Sequence, residues 1–148
     1  MSNQKKRIET ILAILNPEPF YTGNTRNKIR AELNQVTEVD HITPARRKNI
    51  LKILHATRGL DSTLKAFLDY YSVRNGKHAL GQYLTQLASH SDHRIARISS
   101  AERARFQSSI VDHRNTHLHQ ADSYPKNDSE VYQIICEMET LVSRVMTL

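Results

Sequence analysis

At 148 residues the chain is long enough for one real hydrophobic core and short of two, so a single domain over 1–148 is expected. Apolar residues make up 39% and aromatics 6%, with no Trp, four Gly and four Pro, which suits packed helices with a core of Leu, Ile, Val and Ala. A net charge of +6 with histidines neutral favours an anionic partner without naming it, although a solvated basic surface carries the same charge.

The first helix is expected over about 4–16, where Ile8, Ile11, Leu12 and Leu15 recur at helical spacing and Pro17 and Pro19 follow as stops. Lys5-Lys6-Arg7 ahead of Ile11-Leu12-Ala13-Ile14-Leu15 has the charge order of a secretion signal. The apolar run is too short for one, and Pro17-Glu18-Pro19 stands where small residues would be cleaved. No run approaches the roughly 20 apolar residues of a membrane helix. Cys136 is the only cysteine, which excludes an internal disulfide and fits a reducing compartment. A cytoplasmic protein without membrane partners is the expectation, with Cys136 in the core.

A second helix is expected over about 25–38. Thr43-Pro44 marks the start of a third, with Thr43 as cap, Pro44 in the first turn and Ile50, Leu51, Ile53 and Leu54 as its buried stripe. Gly59 is expected to end it. Asp61 or Ser62 would then cap a fourth helix carrying Leu64, Phe67, Leu68 and Tyr71 as far as Asn75-Gly76. A short helix over about 77–89 follows, then a loop with one helical turn over 90–98. Ser99 with Glu102 forms a capping box opening a helix that turns Phe106, Ile110 and Val111 inward. After a polar turn over 122–128, Ser129 opens a last helix, with Val131, Ile134, Ile135, Met138, Leu141, Val142 and Val145 on one stripe. The fold class expected is all-α, a bundle of about five to seven helices.

Arg114-Asn115-Thr116-His117-Leu118-His119 is the densest chemical cluster in the chain. Arginine keeps its charge and can clamp a phosphate in two places, while histidine titrates near neutrality and can move a proton. At about 100° per residue Asp112, Asn115, His119 and Asp122 share a helical face, with Arg114 roughly a quarter turn away but long enough to reach it. Metal-free RNA cleavage needs a base for the 2′-hydroxyl, a cation on the phosphate and a proton for the leaving oxygen. His119 can act as base or acid, Arg114 as clamp and Asn115 as positioning donor. One motif has too few groups for both proton transfers, whereas two in a symmetric dimer have four.

A polar helix end, where cations suit the helix dipole, accounts for the same residues without any activity. Zinc is a second alternative, since His113 and His117 stand four apart with His119, His90 or His93 near in sequence. No Glu joins that pair as it does in the metalloprotease helix, and no metal or other cofactor is expected. Arg46, Arg47 and Lys48, and Arg94 and Arg97 with Arg103 and Arg105, could guide a phosphate backbone or simply face water. Tyr70-Tyr71 could stack a base, although one ring or both would also serve the core. A DNA-binding regulator is disfavoured, because no short-turn helix pair with a recognition helix stands out.

Arg114-Asn115, three further residues and His119 near a helix end, followed by a polar turn and a long amphipathic last helix, resemble the HEPN superfamily. The resemblance runs over Phe106 to His119 and agrees with that family's all-α bundle. It implies a homodimer whose facing motifs cut RNA without metal and leave a 2′,3′-cyclic phosphate, with Arg114, Asn115 and His119 as carried-over positions. It also implies a toxin or anti-phage defence effector beside a neutralising antitoxin or an activating partner. Some members are instead non-catalytic RNA-binding or dimerisation modules. In members silenced by nucleotide transfer to a tyrosine, that tyrosine lies two residues after the histidine. Here the position is Ala121, and Tyr124 lies too far along, so the resemblance does not extend to that control.

Overall fold

The computed structural model describes residues 2–119, 125 and 127–147, with the side chain of His119 outside the described set. Helices α1 (Asn3–Leu15), α2 (Gly23–Glu38), α3 (Ala45–Tyr70) and α4 (Leu80–Ser89) lead to α5 (Ser100–Phe106). A π-helical segment, Gln107–Asp112, joins α5 to α6 (His113–His119), and α7 (Asp128–Met146) closes the bundle. No strand occurs among the described residues. Most of the polar turn expected over 122–128, together with Ala121 and Tyr124, lies outside them.

The ends of several helices follow from local chemistry. Ser2 caps α1 by accepting from the Lys5 amide at 3.1 Å, and Asn127, rather than Ser129, caps α7 by accepting from the Glu130 amide at 3.0 Å. Ser99 and Glu102 form the expected reciprocal box, with bonds of 3.0 and 2.9 Å. At α3 the cap position falls on Pro44, behind a cis Thr43-Pro44 bond. Thr43 is therefore not the cap that the sequence suggests.

The largest correction concerns Gly59. It does not end a helix, and α3 runs unbroken to Tyr70. A Cβ at this position would lie 2.5 Å from Leu33 Cδ2 and 2.8 Å from its Cγ, so the glycine is there for the close approach of α2. Asp61 and Ser62 are accordingly mid-helix residues and cap nothing. Beyond Tyr70 the chain turns through left-handed Ser72, Asn75 and Gly76, at φ 57°, 50° and 75°, and α4 begins only at Leu80.

One core joins the helices. Ile8, Ile11 and Leu15 of α1, Ile29, Leu33 and Val36 of α2, and Leu60, Leu64 and Leu68 of α3 meet Leu84 and Leu87 of α4 and the α7 stripe. All seven apolar residues expected on that stripe are buried. Phe106, Ile110 and Val111 also point inward as expected, but with a wide turn between them, where Gln107 Nε2 donates to Asp112 Oδ1 at 2.9 Å. Cys136 is only half-buried, short of the core position expected for it. Tyr71 packs edge-on against Phe67 with centroids 5.2 Å apart, whereas Tyr70 remains exposed.

Candidate functional site

A cleft of about 830 Å³ opens where α2, α3, the start of α4 and the π–α6 junction meet. Arg114 and Asn115 line it together with Thr57, Arg58 and Asp61 of α3 and Lys28 of α2. The unbroken course of α3 past Gly59 is what puts Thr57 and Asp61, one turn apart, on this wall.

Arg114 is held at two points. Its Nε donates to Thr57 Oγ1 at 3.3 Å, and its Nη1 donates to Asn115 Oδ1 at 3.2 Å. The reach of arginine thus closes the quarter-turn gap to its neighbour. Thr57 is buried and donates its own proton to the Ile53 carbonyl at 2.8 Å, so its lone pairs are oriented toward the guanidinium. Burial pushes the Asp61 carboxyl above its ordinary range, and Arg114, Lys65 and Arg74 pull against that rise. The cleft therefore contains a partly desolvated carboxylate within the field of the motif arginine.

Two imidazoles share the cleft with Arg114. His55 Nδ1 lies 2.8 Å from Glu32 Oε2, and Glu32 also pairs with Arg58 at 3.1 Å. His78 Nδ1 lies 3.1 Å from Arg74 Nη1. Neither histidine stands out in the sequence, and no spacing rule links positions 55, 61, 78 and 114. Only the antiparallel pairing of α2 with α3 and the return of the chain through α4 assemble them. His119 ends α6 in the backbone, and its side chain lies outside the described residues.

The basic residues singled out in the sequence are distributed differently. Arg46 and Arg47 are exposed at the start of α3, and Lys48 beside them lies 3.9 Å from Asp128. Arg94 is paired with Asp92 at 2.8 Å and sits 5.5 Å from the Tyr71 ring centroid. Arg97 donates to the Val145 carbonyl at 2.9 Å and covers the Phe67 ring at 5.3 Å. Tyr71 is fourteen residues from Thr57 on one helical course, so Arg94 and Arg97 lie roughly 20 Å along the bundle from Arg114.

His113 and His117, also on α6, reach Glu130 of α7 and do not line the cleft. Both Nε2 atoms converge on one Glu130 oxygen, at 2.6 and 2.8 Å. The sequence pairs the two histidines but not the glutamate, which arrives from the next helix. No helix among the described residues is long and apolar enough to cross a membrane. Comparison of the chain with family models, curated proteins and solved structures yields no match.

Proposed function

We propose that the chain is a metal-independent endoribonuclease of the HEPN type, with its reacting groups at the Arg114 cleft and completed by a second copy of the chain. The observation that supports this reading most is the anchored Arg114–Asn115 pair on a cleft wall that also carries Lys28 and Arg58. A guanidinium fixed by a buried hydroxyl is pre-oriented toward an anion and loses little further freedom when a phosphate arrives.

In the reaction, Arg114 stabilises charge building on the non-bridging phosphate oxygens while Asn115 orients the scissile nucleotide. His119 removes the proton from the 2′-hydroxyl. The hydroxyl oxygen forms its bond to phosphorus as the bond to the 5′-oxygen breaks, leaving a 2′,3′-cyclic phosphate. His119 of the partner subunit protonates the departing 5′-oxygen. RNA is the substrate, and Arg46, Arg47, Lys48 and Arg94 are proposed as outlying phosphate contacts, Arg97 being engaged by the Val145 carbonyl and the Phe67 ring. A toxin or phage-defence role, with an antitoxin or activating protein as partner in a cytoplasmic setting, completes the proposal.

The test compares wild type, Arg114→Ala and His119→Ala on RNA in EDTA, with analysis of product ends and of protein mass in solution. Loss of roughly 10²–10³-fold for Arg114→Ala is expected, the scale set by removing one transition-state donor. Cyclic phosphate ends and a dimer should accompany wild-type cleavage. Cleavage that survives both substitutions, or a strictly monomeric active species, would sink the proposal.

A further inference from the structure

We propose that His113 and His117 of α6 and Glu130 of α7 form a zinc site that clamps the motif-bearing helix onto the last helix. The site is separate from the Arg114 cleft and does not depend on the ribonuclease reading. Its donor set, two imidazole nitrogens and one carboxylate oxygen, is one that zinc uses with three protein ligands and a water.

The geometry is close to what the metal requires. Potential ligand atoms of the three residues lie within 4.8 Å of one another, and both Nε2 atoms meet the same Glu130 oxygen at 2.6 and 2.8 Å. Donors at 2.0–2.1 Å in a tetrahedron stand about 3.3 Å apart, so the two histidine–carboxylate pairs need to open by roughly 0.5–0.7 Å to admit the ion. The i, i+4 spacing puts the two rings side by side, with centroids 4.7 Å apart. The capping bond from the Glu130 amide to Asn127 fixes the carboxylate's place in the first turn of α7.

The three donors are sheltered: the His117 side chain is 8% exposed and those of Glu130 and His113 are 24% and 31%, so bulk water has limited access to the ion they would hold. Zinc here braces α6 and touches no substrate.

The test titrates the full-length, metal-stripped protein with zinc against a chromophoric chelator, then repeats the titration with His113→Ala, His117→Ala and Glu130→Gln. One zinc per chain is expected, and each variant should bind more weakly by at least the ~10–100-fold that loss of a mere outer-shell partner costs. His113 is the most exposed of the three, so His113→Ala removes a ligand with the least damage to folding, which circular dichroism checks. Cobalt added to wild type should give the intense visible bands of a four-coordinate ion. Absence of tight stoichiometric zinc, a six-coordinate cobalt spectrum, or an unchanged affinity in folded His113→Ala would each overturn the proposal. Because the readout is binding without RNA, its failure leaves the ribonuclease reading untouched.

Discussion

Arg114 and Thr57, 57 residues apart in the chain, are joined by a 3.3 Å hydrogen bond from guanidinium Nε to a buried hydroxyl. Thr57→Val keeps the shape and removes the acceptor. A loss of about 1 kcal/mol in unfolding free energy is expected, together with a fall of roughly 10–100-fold in RNA cleavage as the clamp loses its aim. Thr57→Ser should restore most of the activity. Equal activity in the valine and serine variants would show that the hydroxyl does not position the arginine.

Gly59→Ala pits helix propensity against packing. Alanine gains up to about 1 kcal/mol within a helix, but its Cβ would stand 2.5 Å from a Leu33 atom. Leu33 is itself buried between α2 and α3, and overpacking costs about 1–3 kcal/mol. Packing should win, giving a lower urea midpoint. A higher midpoint would mean that α2 can move away freely.

Two carboxylates should respond to pH with opposite signs. Glu102 is held down to about 2 by Arg144 and by the Ser99 backbone, so the stability it contributes is present above the ordinary glutamate range and is lost as pH falls through about 2. Glu102→Gln, which preserves the capping geometry, should be less stable than wild type at neutral pH and equal to it in strong acid. Asp61 is raised, chiefly by burial, so its ionised form is disfavoured by folding. Its cost is absent in acid and appears as pH rises through the folded value. Asp61→Asn should therefore be more stable than wild type at neutral pH, with an advantage that vanishes on acidification. Denaturant midpoints measured across pH decide both signs.

Arg97 should matter for folding more than for binding. Its bond to Val145 and its stacking on Phe67 predict a stability loss of about 1–2 kcal/mol for Arg97→Ala. Arg58 lines the cleft and is largely exposed. Arg58→Ala should reduce the salt dependence of RNA binding by about 0.7 in log–log slope, the value for one lost single-strand phosphate contact, while folded Arg97→Ala keeps the wild-type slope. Fluorescence titrations at several salt concentrations separate the two residues.

Helical periodicity, the Ser99 cap and the α7 stripe were legible in the sequence because each depends on neighbours within one or two turns. The all-α class follows from them, as do the Ser99–Glu102 box and the grouping of Arg114 with Asn115. Gly59 misleads for the same local reason: a glycine that ends a helix and one that admits a neighbouring helix read alike until Leu33 is placed against it. Thr57, Asp61, His55 and His78 reach the Arg114 cleft, and Glu130 reaches the two histidines of α6, only through contacts between distant segments. Local chemistry determined the all-helical class and where the reactive side chains lie along the chain. Packing of α2, α4 and α7 around α3 and α6 decided which of those side chains share a site, since convergence in space depends on core shape rather than on spacing along the chain.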